Sequence, residues 1–175
     1  MQGYRPAVLV KLETKMENDV KISPFCSESD LVNQFVNRTK NSTAFNFKQT
    51  ILEWPHTSGI VDVLAFCDQS SELYAFEAKL TNWRTALLQA YRSTSYAHRV
   101  YVLLPKEFVH RAQKHRSEFT ELGVGLCSFD GESIKIVFKA RKQKPILNWL
   151  REKALKQFQG IENEPNTRQC HSRLL

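Results

Sequence analysis

The chain predicts an α/β fold in which one mixed β-sheet is flanked by helices. Three observations carry that expectation: a meander of three apolar runs, an amphipathic stretch directly after it, and a further buried apolar run beyond, which together imply a parallel crossover. The 175 residues can bury one hydrophobic core but are too few for two ordinary domains. A single domain over 1–160 and a flexible tail over 161–175 are therefore expected.

In chain order, residues 7–13 read as an initial strand and Glu13 to Ser23 as a polar loop. Ser27 or Ser29 can cap a helix to about Arg38, since Leu31, Val32 and Phe35 recur at helical spacing. Phe47 to Trp54, Gly59 to Phe66 and Glu72 to Leu80 read as strands, separated by turn residues at Pro55–Ser58 and Asp68–Ser71. Asn82 or Thr81 caps the next helix, whose apolar face is Trp83, Ala86, Leu87, Ala90, Thr94 and Ala97. Arg99 to Leu104 is a buried strand ended by Pro105, and Glu107 to Glu121 a helix with Phe108, Ala112 and Phe119 inward. Val124–Phe129 and Ser133–Phe138 close as a hairpin about Asp130-Gly131. Pro145 to Phe158 reads as an amphipathic helix through Ile146, Trp149, Leu150 and Ala154.

Composition narrows the function. With 42% hydrophobic and 25% charged residues the chain has the mixture of a folded soluble protein. No apolar run approaches the roughly 20 residues of a membrane span, and no leader is evident, so a cytoplasmic protein with no membrane partner is expected. Cys26, Cys67, Cys127 and Cys170 form no Cys-x-x-Cys pair. Cys67 and Cys127 lie in apolar runs and read as reduced core thiols, and zinc is not implied. A net charge of +7 and a pI near 9.3 draw a polyanion, and nucleic acid is the commonest one. A basic surface that only keeps the protein in solution is the plain alternative.

The informative segment is Gly59-Ile-Val-Asp62-Val-Leu-Ala-Phe66, a turn, and Leu73-Tyr-Ala-Phe-Glu77-Ala-Lys79. Strand interiors of Val, Ile, Leu and Phe exclude isolated carboxylates, which lose several kcal/mol on burial. A turn centred on Gln69 and Ser70 sets Asp62 opposite Glu77, Leu64 opposite Ala75 and Phe66 opposite Leu73. Side-chain alternation then brings Asp62, Glu77 and Lys79 to one face. Two carboxylates with Cβ atoms about 5 Å apart repel each other unless a divalent cation lies between them. Mg²⁺ suits such a site, because it takes few carboxylates and completes its shell with water and phosphate oxygens. Lys79 adds a positive charge where a phosphodiester under attack accumulates negative charge.

Gly-x-x-Asp, a hairpin of this length and Glu-x-Lys resemble the PD-(D/E)XK nuclease superfamily, over roughly residues 28 to 105. The resemblance implies a three-layer, restriction-endonuclease-like core and hydrolysis of DNA with Mg²⁺ or Mn²⁺. It implies that Asp62 and Glu77 bind the metal and that Lys79 assists the attacking water. Members often add an acid from the first helix and a glutamine from the helix after the lysine strand, positions matched here by Glu28 and Gln89. Val61 stands where the motif's name has proline. In one exonuclease-like branch a tyrosine follows the glutamine by four residues, and here that position is Ser93. Small nucleases of this fold often work as pairs, which makes a homodimer one expectation.

Plainer readings stand beside these. Asp62 and Glu77 could form a structural ion pair with Lys79 or Arg84, and Glu28 could simply favour the positive end of its helix. Trp54 and His56, on the loop feeding the Asp62 strand, could stack on a base and touch phosphate, or Trp54 could belong to the core. His110 and His115 read as part of a solvated basic face, while Arg84 and Arg92 are placed for phosphate contacts. A non-catalytic nucleic-acid-binding or interaction module on the same fold is the alternative function.

Overall fold

Six apolar runs form six strands in a computed structural model that describes residues 23–57 and 59–162. They are β1 (Gln49–His56), β2 (Gly59–Cys67), β3 (Glu72–Ala78), β4 (Arg99–Pro105), β5 (Gly125–Phe129) and β6 (Ile134–Phe138). The strands lie side by side in chain order. β1, β2 and β3 are antiparallel, β3, β4 and β5 parallel, and β5 and β6 antiparallel, so the sheet is mixed. Each parallel step needs a crossover. α2 (Trp83–Ser93) supplies the first, and α3 (Val109–Gln113) with α4 (Arg116–Leu122) the second.

The helices cover both faces. α2, α3, α4 and α5 (Asn148–Glu162) bury Trp83, Ala86, Leu87, Ala90, Ala112, Phe119, Leu150, Ala154 and Phe158 against Leu64, Ala75, Val100, Val102 and Leu104. α1 (Glu28–Thr39) lays Leu31, Val32, Phe35 and Val36 on the other face, over Val63, Phe76, Tyr101, Leu103 and Phe129. Phe35 contacts Phe76 with ring centroids 5.1 Å apart, and Phe45 meets Phe76 edge to face at 5.2 Å. The small side chains of Ala86 and Ala90 let α2 lie close to the sheet.

α1 starts where the sequence places it: the Ser27 hydroxyl accepts from the Asp30 N–H at 3.0 Å, with Glu28 and Asp30 in the positive first turn. Ser27→Ala is expected to cost about 1 kcal/mol, read as a lower denaturant midpoint at unchanged slope. An unchanged midpoint would mean that the tertiary contacts of α1, and not this cap, fix its start.

Several expected boundaries shift. Pro55 and His56 belong to β1, not to a turn. α2 ends at Ser93, so Thr94 and Ala97 lie beyond it, because the Thr94 and Ser95 hydroxyls bond back to the carbonyls of Tyr91 and Arg92. The helix expected over Glu107 to Glu121 breaks at Lys114 and His115 into α3 and α4. α5 begins at Asn148 and continues to Glu162, past the expected start of the tail. Its buried stripe is Leu150, Ala154 and Phe158, while Trp149 is exposed and Ile146 precedes the helix. The expected strand over 7–13, the loop from Glu13 up to residue 22 and the tail from 163 onward fall outside the described residues. Cys26, Cys67 and Cys127 are free thiols, Cys127 buried and Cys67 half-buried. No helix among the described residues is long and apolar enough to cross a membrane.

Candidate active site

The β2–β3 register matches the expected one: Phe66 pairs with Leu73, Leu64 with Ala75 and Val63 with Phe76. The ladder opens at the next position, where Asp62 stands. On its other side, the β1–β2 register passes from Leu52↔Val63 to Trp54↔Val61 and steps over Glu53 and Asp62. Glu53 there adopts a left-handed conformation, φ 51°, which L side chains rarely take. Asp62 is thereby released from both neighbours, and its Oδ2 accepts from the Ala78 N–H at 2.7 Å, at the end of β3.

Around Asp62 a cavity of about 460 Å³ opens between β1 and α1, lined by Glu28, Ser29, Asn33, Leu52, Glu53 and Asp62. Glu53 is the acid that sequence reasoning passed over, since no glycine or asparagine marks its unusual backbone. Lys79 lies one residue beyond β3, its N–H donating to the Leu103 carbonyl at 3.2 Å. Its ammonium donates to Glu28 Oε2 at 2.7 Å, which brings the first-helix acid to the same place. β3 ends at Ala78, so Lys79 is no longer part of the strand, and its side chain reaches α1, whose Glu28 lines the same cavity as Asp62. Its charge still acts on both Asp62 and Glu77, favouring their ionised forms.

Glu77 is 3% exposed, and no hydrogen bond or ion pair to it occurs among the described residues. Burial and then the nearby charge of Asp62 push its carboxyl up to about 8, against a smaller opposing effect of Lys79 and Arg92. Asp62 is raised too, mainly by burial, with the Ala78 N–H and Lys79 opposing and Glu28 and Glu53 reinforcing. Both acids hold protons more tightly than they would in water.

Gln89 projects from α2 with its Oε1 buried and without a hydrogen-bond partner among the described residues. Arg92 follows one turn later, exposed and close enough to act on Glu77. Arg84 lies over the Trp83 ring, 4.3 Å from its centroid, on the exposed side of α2. Two residues suggested for nucleic-acid contact are placed otherwise. Trp54 is 3% exposed, packed between His56 and Tyr96, and offers no ring face to a base. His56 lies in β1 against Tyr96 at 5.1 Å, and burial lowers its pKa, so it carries little positive charge for phosphate at neutral pH. Tyr96, fully buried, donates its hydroxyl to Ser93 Oγ at 3.1 Å and feels the charge of Glu77. A phenol thus reaches the Ser93 position from a residue whose spacing gave no hint of it.

Among the described residues no three His, Cys, Asp or Glu side chains are gathered as a ready set of metal ligands. Glu28 is engaged with Lys79, which leaves Asp62 and Glu77 as the pair for a cation. No family model matches the chain, and no curated protein does. The fold is similar to that of the SPO1766 protein of unknown function from Silicibacter pomeroyi, with a TM-score of 0.56 and 18% identity over 82% of this chain and 88% of that one. That likeness concerns the fold alone.

Proposed function

We propose that the chain is a metal-dependent nuclease with a PD-(D/E)XK, restriction-endonuclease-like core, hydrolysing phosphodiester bonds in DNA. The observation that carries this reading is the buried, unpartnered carboxyl of Glu77 beside Asp62 and Lys79. A purely structural acid would be matched by a donor, as Glu72 is by Arg99 and Lys142 at 2.9 and 2.7 Å.

A hard divalent cation fits this donor set. Mg²⁺ and Mn²⁺ accept two carboxylates and keep water and phosphate oxygens for the rest of their shell. Asp62 and Glu77 would hold the ion, which supplies Lewis acidity and a more acidic water. Lys79 can exchange the Glu28 carboxylate for a substrate phosphate oxygen and stabilise the charge that grows there. Glu28 then remains at the mouth of the cavity as an acceptor for the attacking water or as a further ligand. Gln89, whose side-chain acceptor is buried and unsatisfied, would orient a water.

Supercoiled, linear and single-stranded DNA incubated with Mg²⁺, Mn²⁺ or EDTA test the reading directly. Metal-dependent loss of substrate is expected, and Lys79→Ala should slow it by about 10²-fold while DNA is still bound. Retarded migration with intact substrate in every metal would instead mark a binding module without turnover.

A further inference from the structure

A second groove lies on the far flank of α2. It has a volume of about 410 Å³ and runs between the end of α2, the end of α4 and the segment 141–146. Arg92, Arg141 and Lys144 line it against one acid, Glu121, and no ion pair to any of the three cations occurs among the described residues. Two exposed apolar side chains stand among these charges: Tyr91, 49% exposed, and Ile146, 79% exposed.

The groove is held by backbone bonds. The Arg141 N–H donates to the Gly123 carbonyl at 3.2 Å, that of Gln143 to His98 at 2.7 Å, and those of Ile146 and Leu147 to Ser95 at 2.9 Å. Gly123, at φ 69°, has no side chain, and a Cβ there would meet the side-chain amide of Gln143 first and the Arg141 guanidinium next.

We propose that this groove binds a single-stranded segment of nucleic acid, with Arg92, Arg141 and Lys144 on the phosphates and Tyr91 stacked on an unpaired base. Cations interleaved with an exposed ring are the chemistry of single-strand recognition, because every base has a stacking face that a duplex hides. Arg92 joins the two sites, since it lines the groove and acts on Glu77. The inference rests on the nuclease reading for its purpose, and adds that the substrate is a strand with unpaired bases.

Fluorescence anisotropy of a short labelled DNA strand and of its duplex, in EDTA and at stepped salt, tests the groove apart from cleavage. The parent should bind the single strand more tightly than the duplex. Tyr91→Ala should weaken single-strand binding by about 5- to 100-fold, with little effect on the duplex. The Arg141→Ala/Lys144→Ala protein should flatten the salt dependence by about 0.7 per cation removed, and Lys135→Ala, on another surface, should behave as the parent. Equal affinity of the parent for duplex and single strand, or unchanged binding by the groove variants, overturns the proposal. If the parent cuts DNA with Mg²⁺ while the groove variants bind and cut as it does, the groove is wrong and the nuclease reading stands. If the groove variants lose binding but the parent cuts nothing with either metal, the groove stands and the nuclease reading falls.

Discussion

Asp62→Asn should reduce metal-dependent DNA cleavage by about 10²–10³-fold and leave the fold intact. Asparagine keeps an oxygen that can accept the Ala78 N–H, so the link between β2 and the end of β3 survives. The change removes one negative charge from a place where Glu28 and Glu53 already repel it. A purely structural role therefore predicts an equal or more stable protein with nothing lost. A metal role predicts the same stability with cleavage gone, because one carboxylate cannot hold a weakly bound hydrated cation. Cleavage rates and thermal midpoints taken side by side separate the two, and a variant that cuts at the parental rate would end the metal assignment.

The second large effect concerns Glu77 and pH. Burial and the charge of Asp62 push its carboxyl from 4.5 when exposed up to about 8 in the folded protein. Between those values the native state holds a proton that the unfolded chain has released. Stability from this group is complete below about 4.5 and falls as pH rises toward 8, by up to about 1.4 kcal/mol per pH unit. His56 and His98, both lowered by burial, work the other way around their ordinary range, where rising pH removes the cost of a charged imidazole. The difference between parent and Glu77→Gln cancels those histidines. The variant should lack the downward slope and be the more stable of the two at pH 8 without metal, by a few kcal/mol. Adding Mg²⁺ at pH 8 should stabilise the parent and not the variant, since the ion competes with the proton. Parallel pH profiles for the two proteins would show that Glu77 ionises normally.

Much of this geometry could be read from the sequence because it is local. The turn at Gln69 and Ser70 fixes the β2–β3 register from Val63 to Cys67, but the paired ladder ends before Asp62 and Glu77, where the irregularity at Glu53 interrupts strand alternation. The end of α2 was misjudged because Thr94 and Ala97 continue a helical spacing that the hydroxyls of Thr94 and Ser95 interrupt. Of the apolar face expected for α5, Leu150 and Ala154 are buried, whereas Ile146 precedes the helix and Trp149 is exposed. Glu53 was invisible for a different reason: its left-handed backbone arises where β1 passes Asp62, and its own residue type does not favour it. The match of Glu72 with Arg99 and Lys142 brings together residues far apart in the chain, which no periodicity reports.

The strand order of the sheet has a temporal side. Because each strand lies beside its predecessor, every new strand finds its partner already made, and no gap has to wait for a later segment. Such nearest-neighbour topology keeps loop closures short and favours rapid zippering. The acids and the lysine, all between Glu28 and Lys79, can meet as soon as the first three strands and α1 have formed. Arg141 and Lys144 reach their places only after β6, so a growing chain would assemble the cluster of acids and lysine before the basic groove.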